Sequence, residues 1–176
     1  NQCHFELSDY REIKGKFDKI VSVGMLEHVG RKFYKTFFKK INNLLTDNGV
    51  ALIHTIGSID PKAPPQPFIQ KYIFPGGLVP SGSDLIDAVE KTGLIISDME
   101  SLIHHYDKTL KSWLDRFLKN REKAKKMYSE KFVRMWEFYL ASTSAAFHYR
   151  DLLVYQLQIV KSFQAVPSNR RDYIYS

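Results

Sequence analysis

The sequence predicts an α/β fold in which helices pack on a mostly parallel sheet, and three observations predict it. Residues 17–23 (Phe-Asp-Lys-Ile-Val-Ser-Val) and 50–56 (Val-Ala-Leu-Ile-His-Thr-Ile) are β-branched and largely apolar. They lack the polar alternation of a half-exposed strand and read as buried parallel strands. Between them Tyr34, Phe37, Phe38, Ile41 and Leu44 recur at three- and four-residue steps, while Arg31, Lys32, Lys35, Lys39 and Lys40 are left mainly for solvent, which makes one amphipathic helix. The alternation continues downstream. Right-handed crossovers in such a sheet place ligands at the carboxyl ends of the strands.

Taken in order, the chain enters at Asn1 on a run whose residues 3–7 already read as a strand, as though at a cut edge. The first helix stops near Thr46-Asp47-Asn48-Gly49, where Asn and Gly tolerate the left-handed conformation that ends helices. Residues 59–82 carry Pro61, Pro64, Pro65, Pro67, Pro75 and Pro80, a loop too long for a simple connector and of the kind that forms lids or binding segments. Asp84 can cap a short helix through Lys91, Gly93 ends it, and Leu94 to Ile103 forms the next strand. Two longer helices follow. The first carries Leu110, Leu114, Phe117 and Leu118 on one face; the second, capped by Ser129, carries Phe132, Trp136, Tyr139, Thr143 and Phe147. Leu152 to Val160 reads as the last strand, and the tail from Pro167 has no strong signal.

Length and composition suit one globular domain of 176 residues. No window approaches the roughly 18 apolar residues of a membrane-spanning helix. Cys3 is the one cysteine, which excludes an intramolecular disulfide and a cysteine-built zinc site and suits a reducing cytoplasm. The net charge of +7 favours an acidic partner. Much of it sits in Arg116, Lys119, Arg121, Lys123, Lys125 and Lys126, where a solvated helix face is the plain reading and anionic head groups the functional one. With no recognised reading element, nucleic acid is not the expected partner.

The first strand runs into Gly24-Met25-Leu26-Glu27-His28-Val29-Gly30, and the second delivers His54-Thr55-Ile56-Gly57 to the same edge. Glu27 and His54 can therefore face one cavity. Each alone is more often hydrogen-bonded structure than catalyst, and the same holds for Tyr106 at a helix start.

These residues belong to a set of ordered strings. Val21-Ser22-Val23-Gly24-Met25-Leu26-Glu27-His28-Val29-Gly30 resembles the signature of cyclopropane fatty acid synthases and the related mycolic acid cyclopropane synthases. Leu52 to Gly57, Lys71-Tyr72-Ile73-Phe74-Pro75-Gly76-Gly77, Tyr106 to Leu110 with Trp113, and Arg134-Met135-Trp136 with Tyr139-Leu140 follow in family order. Five ordered motifs make chance agreement improbable. The resemblance implies the C-terminal part of a Rossmann-like class I methyltransferase fold with helical insertions, a partial domain over residues 1–176. Within it, 59–82 is a loop insertion and 107–150 a helical lipid-channel segment.

It also implies transfer of the methyl carbon of S-adenosylmethionine to a cis double bond of a phospholipid acyl chain, closing a cyclopropane ring. An alkene is a poor nucleophile, so the sulfonium methyl must be aligned with it while water is kept out. Ring closure then removes a proton from the new methyl group, which the family attributes to bound bicarbonate. By matching motifs, Glu27, His54 and Tyr106 hold that ion, assisted by the Ile56 backbone, and Asp9, Tyr10 and Arg11 lie near the cofactor adenine. Phe74, Trp113, Trp136, Phe138 and Tyr139 are candidates for the channel wall, though such stripes most often fill a core. The implied partners are phospholipid acyl chains at the inner membrane face, where the protein is peripheral and cytoplasmic, with a homodimer as a candidate assembly of the full-length protein.

The glycine-rich loop and acidic strand end that cradle the cofactor in the family have no counterpart here, nor does its active-site cysteine, which Cys3 does not match. The expectation is weak cofactor binding and no turnover by this chain alone. Two other readings stand beside it: a non-catalytic basic module binding membrane or nucleic acid, and a related enzyme that methylates its lipid without closing a ring.

Overall fold

The computed structural model describes residues 3–61, 64–149 and 151–175. Residue 150, where the expected channel segment ends, and the chain ends at 1 and 176 lie outside the described residues.

Four strands form one sheet, β1 (Phe17–Val23), β2 (Leu45–Ser58), β3 (Ile95–Leu102) and β4 (Leu152–Val160), in the order β1-β2-β4-β3. β1 is parallel to β2, and β4 is antiparallel to both β2 and β3. Three strands thus share a direction and the last inserts against them.

Successive β-strand side chains point to opposite faces, and this alternation sorts the core. On one face Ala51, Ile53, Leu153, Tyr155, Leu157 and Ile159 pack under α2 (Tyr34–Leu44) and α4 (Gly82–Glu90). All five apolar residues predicted for one face of α2 are buried. On the other face Ile56 and Val154 pack with α5 (His105–Lys119) and α7 (Glu130–Tyr149) over the carboxyl end of β2. The remaining helices are α1 (Leu26–Val29), α3 (Pro67–Tyr72, inside the proline-rich loop) and α6 (Arg121–Met127).

Several sequence expectations are corrected. Residues 3–7 form no strand; Phe5 and Leu7 are fully exposed, since no neighbouring strand is there to pair with them. β1 has the expected bounds but is an edge strand rather than a buried one, with Val21 65% and Val23 66% exposed. β2 begins at Leu45, earlier than its apolar run, because Thr46–Gly49 bulge between the pairs Phe17–Leu45 and Lys19–Val50. Gly49 therefore does not adopt the left-handed conformation assigned to it; Gly93 does, at φ 74°. Ser81, not Asp84, caps α4: the Ser81 hydroxyl accepts from Asp84 N, and the Asp84 carboxylate accepts from Ser81 N, a reciprocal capping box. The basic stretch spans a break at Asn120, so three helices replace the two expected. The tail is also ordered, with Arg171 paired to Asp98 at 2.6 and 3.0 Å and Tyr175 donating to Glu100 at 3.1 Å.

Candidate active site

The site is built where β1 and β2 end. Gly24, at φ 62°, turns the chain out of β1, and its N–H donates to the His54 carbonyl at 3.0 Å. One turn later Glu27 is buried at 8% exposure, with Oε1 accepting the Ile56 N–H at 2.6 Å. Its backbone carbonyl accepts from Leu78 N at 2.7 Å, which closes the proline-rich segment over it. Oε2 of the same carboxylate is buried and has no partner among the described residues. Buried polar atoms nearly always find a partner, so this oxygen is an acceptor that the described residues leave open.

His54 lies two residues before Ile56 on the same strand face. Gln156, its register partner on β4, brings Nε2 to 3.2 Å from His54 Nδ1. An amide N–H can only donate, so Nδ1 accepts and neutral His54 carries its proton on Nε2. Tyr106 opens α5. Its ring stacks on Phe147 at 5.1 Å, meets Trp113 edge-on at 6.1 Å, and packs in the same cluster as Ile56. Burial raises the neighbouring Tyr139 phenol above its ordinary value, and the Tyr106 phenol adds to that rise.

Ile56 therefore links the two ends of the arrangement, hydrogen-bonded to Glu27 and packed against the same buried cluster as Tyr106. Among the described residues no hydrogen bond joins Glu27, His54 and Tyr106 to one another. The Ile56 N–H, expected at the anion, donates to Glu27.

Two further residues were not singled out from sequence. One is Gln156. The other is Asp107, a buried carboxylate next to Tyr106 that accepts from Ser144 Oγ at 2.5 Å, from Lys111 Nζ at 2.8 Å and meets His148 Nδ1 at 2.9 Å. These bonds tie the first turn of α5 to the end of α7, and they hold the Asp107 carboxyl well below its ordinary value, Lys111 first, then Ser144 and His148. The Asp107–Lys111 spacing is legible as a helical pair; the long-range partners are not.

The turn at Asp9–Arg11 is held elsewhere. Tyr10 packs edge-on against Phe37 at 5.5 Å, and Lys40 Nζ caps the Arg11 and Ile13 carbonyls at 2.8 and 2.6 Å. The Arg11 guanidinium donates to both Asp9 oxygens, at 2.9 and 2.6 Å, holding the Asp9 carboxyl down at about 2. Asp9 and Arg11 thus pair with one another on the surface of this turn.

Comparison with known proteins matches residues 1–157 to the family model of mycolic acid cyclopropane synthetase. The chain is 40% identical over 151 residues to cyclopropane-fatty-acyl-phospholipid synthase of Escherichia coli K12, covering 86% of this chain and 39% of that protein. It is 38% identical over 167 residues to tuberculostearic acid methyltransferase of Mycobacterium tuberculosis, covering 92% and 39%. It thus spans about two fifths of the length of these relatives. Among solved structures, mycolic acid cyclopropane synthase CmaA1, complexed with SAH and CTAB, superposes with a TM-score of 0.81 at 29% identity over 88% of this chain and 59% of that one. The cyclopropane synthase MmaA2 of M. tuberculosis gives 0.79 at 28% identity with the same coverage. Ordered motifs, sheet topology and these matches agree, and the chain belongs to the mycolic acid cyclopropane synthetase family of S-adenosylmethionine-dependent methyltransferases.

Proposed function

We propose that this chain supplies the lipid-acceptor side of a cyclopropane-fatty-acyl-phospholipid synthase, which adds a methyl carbon across a cis double bond of a phospholipid acyl chain. The observation that carries this reading is the buried Glu27 carboxylate, with one oxygen fixed by Ile56 and the other without a partner among the described residues. In this reading a bicarbonate ion meets that oxygen, and when bound it supplies the base for ring closure.

The chain's own residues have separate tasks in this reading. Glu27 accepts the hydroxyl of the ion through Oε2, which selects the protonated anion over carbonate. Ile56 orients Glu27. Tyr106 donates its phenol proton, and His54, kept as the Nε2–H tautomer by Gln156, donates a second. The apolar cluster of Leu110, Tyr139, Leu140, Phe147 and Val154 keeps water from a cationic intermediate. In this reading the segment 107–150 walls the lipid channel, and Asp9, Tyr10 and Arg11 flank the cofactor adenine. S-Adenosylmethionine supplies the methyl group when bound.

The exposed face of α6 and its flanks, with Lys119, Lys123 and Lys126, suits an anionic membrane surface, at about 1 kcal/mol per basic residue in low salt. No helix among the described residues is long and apolar enough to cross a membrane. The reading thus places the protein at a membrane face as a peripheral partner.

The test is a chimera in which these residues replace the matching portion of the E. coli relative, with phospholipid fatty acids read by gas chromatography. Cyclopropane acyl chains support the proposal. Methyl-branched chains would favour the methylating relatives, and a folded chimera that yields neither would overturn it.

A further inference from the structure

We propose that Asp107 is a positioning residue for Tyr106: by bonding α7 on both sides of Phe147, it fixes where the Tyr106 ring lies along that helix. This rests on the acceptor-side reading above, in which Tyr106 donates to the bound anion, and it names what aims that donor. The first three residues of α5 are His105, Tyr106 and Asp107, and among the described residues His104 makes no side-chain capping bond to them. An acid at the third position of a helix can turn back to the residue that caps it, and Asp84, third in α4, does so with Ser81. Asp107 is third in α5 and departs from this pattern. Its carboxylate is buried; Oδ1 accepts from Ser144 Oγ, while Oδ2 accepts from Lys111 Nζ and meets His148 Nδ1.

Residues 144, 147 and 148 share one face of α7, because steps of three and four return a helix to the same side. Phe147, which lies between the two bonded residues, is the one on which the Tyr106 ring stacks, at 5.1 Å and 28°. Two neighbours in one turn of α5 therefore engage the same patch of α7, one by hydrogen bonds and the other by its ring. The two kinds of contact differ in direction. Stacked rings tolerate a range of offsets, whereas a hydrogen bond weakens steeply away from its line. The Asp107 bonds thus set where the first turn of α5 sits along α7, and the Tyr106 phenol is carried with it. Lys111 has no part in this, since it lies on α5 with Asp107 and moves with it. With each Asp107 oxygen bonded to the protein, the residue acts through Tyr106 rather than on a ligand.

The experiment is NMR of the labelled chain, reading the Tyr106 ring shifts and the cross-relaxation between the Tyr106 and Phe147 rings, followed by titration with carbon-13-labelled bicarbonate. Asp107→Ala would leave buried donors unpaired and endanger the fold, so its α7 partners are changed instead, Ser144→Ala with His148→Ala. In that variant the contact between the rings should weaken, the Tyr106 shifts should move, and bicarbonate should bind roughly threefold or more weakly. Two controls separate aim from stability. Lys111→Ala removes a bond from the same carboxylate, and Val89→Ala removes packing on the opposite face of the sheet. Both should leave the Tyr106 shifts in place and the affinity within about twofold. Tyr106 signals that stay unmoved in the α7 variant overturn the proposal, as does a displaced ring with unchanged affinity. Equal movements in Val89→Ala overturn it too, because they would make the effect one of general stability. A wild-type chain that binds no bicarbonate overturns the acceptor-side reading instead, while the ring contacts still decide whether Asp107 fixes Tyr106.

Discussion

The Ile56 N–H donates to Oε1 of Glu27 at 2.6 Å, and Oε2 of that buried carboxylate has no partner among the described residues. One residue thus binds the end of β1 to the end of β2 and presents a spare acceptor beside an apolar cluster. Glu27→Ala leaves the Ile56 N–H unsatisfied and should cost ~1–3 kcal/mol in urea unfolding. Glu27→Gln keeps the acceptor facing Ile56 and should cost less than about 1 kcal/mol, since only the oxygen that meets no protein group is changed.

Gln156 should set the tautomer of His54. In the wild-type chain nitrogen-15 shifts of the ring should report a proton on Nε2. Gln156→Glu offers Nδ1 an acceptor and should move the proton to Nδ1 and raise the imidazole's affinity for a second one. An unchanged ring spectrum in that variant would refute the assignment.

Gly57 faces the Tyr155 ring so closely that a Cβ would come to 2.3 Å from its Cδ2 and Cε2 edge. Tyr155 is buried, and its phenol is raised by burial. Gly57→Ala should lower stability by ~1–3 kcal/mol through overpacking, and Tyr155→Leu in the same chain should recover part of that loss. Thermal unfolding of the single and double variants checks both.

Asp107 gives an acid-limb prediction with a definite sign. Its folded carboxyl lies well below the ordinary 3.8, so its stabilisation is complete above that value and falls away as pH drops toward its depressed one. The stability gap between wild type and Asp107→Asn should hold steady above about pH 5 and narrow as the pH falls below 4. Urea midpoints across that range provide the measurement, and a gap that widens at low pH would contradict the assignment.

Val21 and Val23 point from an edge strand into solvent. Val21→Lys with Val23→Lys should reduce aggregation while shifting stability by less than about 1 kcal/mol, because little apolar burial is lost. Light scattering together with unfolding midpoints tests it.

Local periodicity made α2, β1 and β4 legible, because Tyr34, Phe37, Phe38, Ile41 and Leu44 need only a 3.6-residue repeat to declare their face. The edge status of β1 was not legible, since a valine run looks the same with one neighbouring strand or two. Thr46–Gly49 misled because a bulge and a helix-ending turn both favour Asn and Gly. The proximity of Glu27 to Ile56 was suggested by two strands ending at one edge. The bonds of His54 to Gln156 and of Asp107 to His148 span 102 and 41 residues, and no local signal encodes them.

Titration of the chain with carbon-13-labelled bicarbonate, observed by NMR, bears most directly on the Glu27 site. Saturable binding in the wild type that is lost in Glu27→Gln and weakened in Tyr106→Phe is the predicted result. Equal binding by wild type and Glu27→Gln would contradict the account.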